Sequence, residues 1–129
     1  MLYTSYFANL RNLPPTVTPI GICAVPPRWF TGTNCANLAP SLQLLGDIKT
    51  GSCTMLDYWD RYWDETLKKL NPASVYQELL GKGSPDVALC CYETPASFCH
   101  RHILSYWFNQ NLGVTIREYG CDQTTVFGG

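Results

Sequence analysis

The chain has 129 residues, 46% of them aliphatic, aromatic or cysteine, which fits one domain with a real core. A net charge of −1 without a basic block argues against nonspecific binding to duplex nucleic acid, and no run of ~18 apolar residues spans a membrane. Only 15% of residues are charged while Trp, Tyr and Phe number four, eight and five, so either the core is rich in aromatics or part of the surface is covered by a second copy of the chain or another protein partner.

In chain order, Tyr3 to Leu13 is expected as a short helix that Pro14-Pro15 ends. Thr18 to Val25, T-P-I-G-I-C-A-V, reads as an apolar strand stopped by Pro26-Pro27. Residues 28–54 carry Gly, Pro, Asn and Ser at intervals and read as an irregular excursion, with a short helix around Pro40 to Leu45. Long excursions of this kind often carry function.

Met55 to Leu70 is predicted helical, with Leu56, Trp59, Trp63, Leu67 and Leu70 on one face. Asn71-Pro72 ends it, Ala73 to Leu80 forms another helix, and Gly81, Gly83 and Pro85 make a turn. Asp86 to Tyr92 contains V-A-L-C-C-Y, the continuous apolar run of a strand buried on both faces. A helix follows from Thr94-Pro95, with Ser97 the alternative cap, to about Leu112, and Gly113 closes it. Val114 to Tyr119 is a further strand, and residues 120–129 read as a frayed tail.

The alternation implies a single α/β domain over residues 1–129, with a small, mostly parallel sheet of about three or more strands flanked by helices. The expected arrangement is three-layered and Rossmann-like. Ligands of such sheets bind outside the carboxyl ends of the strands. Here those ends carry Arg28 after one strand, and Glu93 with Cys99-His100-Arg101 after the next, so the two loops are expected to converge.

Seven cysteines is an odd count without C-x-x-C spacing, which suits thiols packed as small hydrophobes in a reducing compartment. The N-terminal run M-L-Y-T-S-Y-F-A-N-L-R-N-L lacks the pattern of a signal peptide, so a cytoplasmic location is expected.

Cys90 to His102, C-C-Y-E-T-P-A-S-F-C-H-R-H, holds both histidines and three of the cysteines. This C-Y-E followed by F-C-H-R-H and an aromatic helix resembles the domain-of-unknown-function family 488. In that family a strand ends in a Cys-Tyr-Glu-type motif and a Cys-His-Arg motif opens the next helix. The resemblance runs more loosely over residues 3 to 119, through P-P-R-W-F after the first strand and the helix bearing Tyr58 and Tyr62. Many members end the first strand with Asp-x-Arg. Here Ala24-Val25-Pro26-Pro27-Arg28 supplies the arginine without the acid. The resemblance implies a fold and a pocket more than a reaction.

Within the block, Glu93 and His100 are the candidate catalytic residues. A carboxylate beside a buried strand is poised for acid, base or nucleophilic work, and a histidine early in a helix is a proton carrier. The bland alternatives are an ion pair of Glu93 with Arg28 or Arg101, and a histidine bonded to a backbone carbonyl or to Glu93. Arg28 and Arg101 are candidate anion ligands, set against a salt bridge to Glu93 or Glu118. Cys99 is a candidate thiolate, set against an inert buried thiol. Trp29, Tyr58 and Tyr62, with Phe30, are candidate walls for a nucleobase, set against core packing. His102 lies about 200° around the helix from His100 and is expected to be structural or exposed.

Cys91, Cys99, His100 and Cys121 are the conceivable metal ligands. Structural zinc usually draws on closely spaced ligand pairs and none is present, so no metal and no cofactor is assigned.

The leading expectation is a pocket for a nucleotide-like or other anionic small molecule, with action at a glycosidic bond. The alternatives are a non-catalytic protein-binding or inhibitor module on the same fold, and thiol or sulfur-transfer chemistry through Cys99.

Overall fold

In the computed structural model, which describes residues 1–83, 85–92 and 99–120, the run Asp86–Cys91 lies inside a parallel sheet. Its side chains alternate between two packed faces, as strand geometry requires. Val87, Leu89 and Cys91 belong to one apolar cluster, Ala88 and Cys90 to another. That double burial is the physical reason for the unbroken apolar sequence.

The described strands are β1 (Leu2–Tyr6), β2 (Val17–Gly21), β3 (Asp86–Cys91) and β4 (Arg117–Glu118), in the spatial order β2-β3-β1-β4. All pairs are parallel. Thr18 of β2 sits opposite Val87, Thr4 of β1 opposite Leu89, and Thr4 is also opposite Glu118 of β4. The α-helices are α1 (Leu42–Thr50), α2 (Met55–Glu65), α3 (Pro72–Leu80) and α4 (His100–Leu112).

The sheet is the middle of three layers. Leu44 of α1, Tyr58 and Tyr62 of α2, Leu79 of α3 and Ile103 and Phe108 of α4 cover one face. The other face is covered by Phe7 and Leu10 of a short 3-10 helix, Phe7–Asn12, with Leu13, Phe30 and Tyr119. The parallel α/β reading therefore holds, with four strands.

Two local expectations are corrected. The N-terminal run is the strand β1 followed by the 3-10 turn, where a helix over Tyr3 to Leu13 was expected. Tyr3, Thr4 and Tyr6 suit a pleated strand, and β1 gains ladder partners on both sides, in β3 and β4. No local pattern reveals those distant partners.

The helix predicted over Met55 to Leu70 ends at Glu65, with a 3-10 turn at Leu67–Lys69. Its fully buried face is Tyr58 and Tyr62, while Leu56 is 77% exposed. The tyrosines win because α2 packs them toward α4 and the segment before α1: Tyr62 meets the His100 ring at 5.6 Å and its hydroxyl donates to the Leu38 carbonyl.

Caps fix the helix starts. Ser41 accepts from the Leu44 N–H, Thr54 and Asp57 form a capping box, and Asn71 precedes Pro72 at the head of α3. No helix among the described residues is long and apolar enough to cross a membrane.

Candidate functional site

The carboxyl ends of β2 and β3 meet the amino end of α4, and backbone bonds set the meeting point. Ile22, one residue past β2, extends the ladder by donating its N–H to the Cys90 carbonyl at 3.0 Å. The chain then leaves the sheet and returns to it. Gly21 donates to Thr33 O at 2.9 Å and accepts from the Cys35 N–H at 2.7 Å. The Asn34 amide bonds the Cys23 carbonyl at 2.8 Å. Gly21 is needed here because a Cβ would collide with Asn34 Oδ1. On the β3 side, the Tyr92 hydroxyl donates to Val25 O at 2.6 Å.

Together these contacts wall a cavity of about 880 Å³. Cys23, Ala24 and Val25 line it from the β2 side, Cys91 and Tyr92 from β3, and Cys99 and His100 from the start of α4. Leu45, Gly46 and Lys49 of α1 and Tyr58 of α2 close it.

His100 is buried, and its Nε2 lies 2.6 Å from the Ile22 carbonyl oxygen. A carbonyl only accepts, so Nε2 carries the proton and Nδ1 keeps a lone pair. Nδ1 is 3.8 Å from Cys99 Sγ. Burial drives the imidazole pKa down to about 4, against the Ile22 hydrogen bond that favours charge, with nearby Arg101 and His102 lowering it further. The ring is therefore neutral at pH 7.

Arg101 points away from solvent altogether. Its Nε and Nη2 bond the two carboxylate oxygens of Glu118 at 3.1 and 3.2 Å, and its Nη1 donates to Cys91 Sγ at 3.0 Å. Thr4 Oγ1 donates to the same carboxylate at 2.7 Å. Of the alternatives weighed for Arg101, the salt bridge to Glu118 is formed. Cys91 and Cys99 are joined sulfur to sulfur, with their Cα atoms 7.6 Å apart.

Among the described residues, the end of β2 meets the end of β3 and the start of α4 through Ile22, Val25, Tyr92 and His100. Of the candidate residues, His100, Cys99 and Tyr58 line the cavity, and Tyr62 sits behind it against the His100 ring. Arg28 and Trp29 are exposed on the excursion and are not among the described lining residues. Trp29 packs edge-on against Phe7 at 6.2 Å and borders a separate depression of about 390 Å³ lined also by Leu10, Ile20 and Phe30. His102 is buried. Glu93, Thr94, Pro95, Ser97 and Cys121 lie outside the described residues.

Sequence reasoning overlooked α1 as a wall. The span 28–54 read as mostly irregular, yet Leu45, Gly46 and Lys49 face the cavity from a nine-residue helix. The available signal was Gly46 inside an otherwise helical stretch.

The fold and site define a small parallel α/β protein with a cysteine- and histidine-lined cavity at its strand carboxyl ends. The chain belongs to the DUF488 family: the family model described as the active DUF488-N3 subclade, DUF488-N3a, matches residues 9–112. No curated protein and no solved structure matches the chain.

Proposed function

We propose that the cavity at the carboxyl ends of β2 and β3 is an active site for a nucleotide-like small molecule, and that the reaction falls on its glycosidic bond. The observation that carries this reading is an opening of about 880 Å³ at the position where parallel sheets bind ligands. Small-molecule sites typically measure ~300–1,000 Å³. Leu45, Ile48, Met55 and Tyr58 offer an apolar and aromatic bed for a flat ring, and Lys49 offers a cation for an anionic group.

Gly46 supports the reading from energetics. A helix-interior glycine costs roughly 0.5–1 kcal/mol relative to alanine. A Cβ at Gly46 would meet nothing within 4 Å, so packing does not demand glycine there. The missing side chain leaves room in the cavity. The description of the matched subclade as active supports turnover over binding alone. Glu93, two residues beyond β3, is the carboxylate assigned to the oxocarbenium-like centre.

The test is calorimetric titration with a panel of nucleosides and nucleotides, with release of free base followed by chromatography. Gly46→Trp should block binding while the protein stays folded, and Lys49→Ala should weaken binding of phosphorylated ligands by about 5-fold at most, the size of one exposed charge contact. Glu93→Gln should keep binding and lose turnover. Binding that ignores both cavity substitutions would sink the reading.

A protein-binding module is the second reading. It is favoured by Val25, Leu42, Met55 and Tyr92, which line the cavity and are each more than half exposed. Failure of every small molecule in the panel would favour it.

A further inference from the structure

We propose that Cys91 and Cys99, as thiolates, form with His100 Nδ1 a three-ligand site for zinc or a similar divalent ion, its fourth position open to the cavity. This deepens the active-site reading, because the open position is where a cavity ligand would meet the ion. Metal binding itself does not depend on which ligand that is.

Four features support it. First, the two sulfurs and an imidazole nitrogen lie within 4.8 Å of one another, on residues that are all buried and all line the cavity. Three protein ligands with one vacant position is the arrangement of reactive zinc sites, whereas structural sites close with four.

Second, the histidine is already oriented. Its Nε2–H is spent on the Ile22 carbonyl at 2.6 Å, which leaves the Nδ1 lone pair beside Cys99 Sγ at 3.8 Å. A metal-binding histidine characteristically donates its other N–H to a carbonyl or carboxylate in this way.

Third, the sulfurs have partners that favour thiolate. Arg101 Nη1 donates to Cys91 Sγ at 3.0 Å, and Cys99 is the N-cap of the 13-residue α4, where the helix dipole favours negative charge. The Arg101 charge is itself compensated by Glu118. A divalent ion with two thiolates adds no net charge to a mostly apolar cavity.

Fourth, the backbone spacing suits a bridged pair. The Cα atoms of Cys91 and Cys99 are 7.6 Å apart. Disulfides usually span ~4.4–6.8 Å between Cα atoms, with a mode near ~5.5–6 Å. Replacing one sulfur–sulfur bond by two metal–sulfur bonds of ~2.3 Å in tetrahedral geometry widens the sulfur separation by roughly 1.7 Å. That brings the usual spacing to about the one found here.

The disulfide and metal-bound forms exclude one another. Passing from the first to a dithiol takes two electrons and two protons: a phosphine supplies the electrons and leaves as its oxide, and water supplies the protons and that oxygen. Binding of the ion then releases the thiol protons to solvent.

The experiment is anaerobic cobalt(II) titration of the full chain in a phosphine reductant. The expected result is one cobalt per chain, with thiolate-to-cobalt charge transfer and tetrahedral d–d bands that zinc abolishes by displacement. Cys91→Ser and Cys99→Ser should each remove the charge-transfer band at stoichiometric metal. His100→Gln should weaken zinc by ~10-fold or more, at least the loss seen when even an outer-shell partner is removed. Cys53→Ser should change nothing.

If a serine variant fails to fold, the unaltered chain still decides the question. Zinc should protect Cys91 and Cys99 from alkylation, mapped by mass spectrometry, and leave Cys53 reactive. Absence of a charge-transfer band, a band that survives both serine substitutions, or a pair that stays disulfide-bonded under reductant would overturn the site. Nucleotide binding without any cobalt signal would end the metal inference and leave the ligand reading standing. A cobalt signal without nucleotide binding would do the reverse.

Discussion

Glu118→Gln takes one charge out of a buried pair and leaves the other behind. Arg101 has no exposed surface and Glu118 is 4% exposed, so neither charge can turn to water without opening the structure. Their two bonds, at 3.1 and 3.2 Å, are bidentate, and the Thr4 hydroxyl adds a third to the carboxylate at 2.7 Å. Glutamine keeps the shape and one acceptor, so the cost is mainly that of an uncompensated buried guanidinium, about 3–5 kcal/mol. That is a large share of the ~5–15 kcal/mol that holds a domain folded.

Urea denaturation followed by tryptophan fluorescence measures this, read through the midpoint at constant slope. The companion variant, Arg101→Met with Glu118→Leu, removes both charges. Apolar replacement of a buried pair is often close to neutral, so the double variant should be more stable than Glu118→Gln despite two substitutions. The Thr4 hydroxyl and Cys91 sulfur lose partners in it, which leaves a residual cost of about 1–2 kcal/mol. A Glu118→Gln cost below about 1 kcal/mol, the range of exposed pairs, would refute the reasoning, as would a double variant no more stable than Glu118→Gln.

Tyr62→Phe should cost about 1–3 kcal/mol by thermal or urea unfolding, because it leaves the buried Leu38 carbonyl without that donor. In the metal-free protein, His100 titrates near 4 when folded and near 6.5 when unfolded, so the unfolded chain binds the extra proton between those values. The stabilisation is whole above pH 6.5 and is lost as pH falls toward 4, by roughly 3 kcal/mol, and His100→Gln should flatten that slope in denaturation series at pH 4.5 and 7. Gly46→Ala should raise stability by about 0.5–1 kcal/mol, since nothing lies within 4 Å of the added Cβ; a loss on unfolding measurements would show that the position is packed. Gly21→Ala should cost about 1–3 kcal/mol through the collision with Asn34, and should expose the Cys23 amide to hydrogen exchange.

Much of the architecture was legible because it rests on short-range chemistry. Asn71-Pro72 marks the break before α3 and Gly113 the end of α4, because a proline cannot continue the helix before it and a glycine takes the left-handed conformation that closes one. The apolar run of β3 shows burial on both faces without any knowledge of the neighbours. The Cys-Tyr-Glu and Cys-His-Arg spellings pointed to the family that the family model identifies. What misled was any choice settled by a distant partner. Leu56, Trp59 and Trp63 had the better apolar stripe, but His100 of α4 and the Leu38 carbonyl receive Tyr62, with Tyr58 buried beside it.

The sequence by itself determined the family, the parallel α/β class and the placing of the Cys-Tyr-Glu motif at the end of a buried strand. These follow from periodicity, capping and motif, which are properties of neighbouring residues. Tertiary structure alone decided that the first residues form a central strand, that Arg101 turns inward to Glu118, and that Arg28 and Trp29 are not among the residues lining the cavity of about 880 Å³. It also brought Cys91, eight positions before Cys99, into reach of that sulfur and of a His100 ring nitrogen. The separation matches no familiar ligand spacing, because the contact is made by a strand end meeting a helix start, and sequence distance does not encode where those two ends cross.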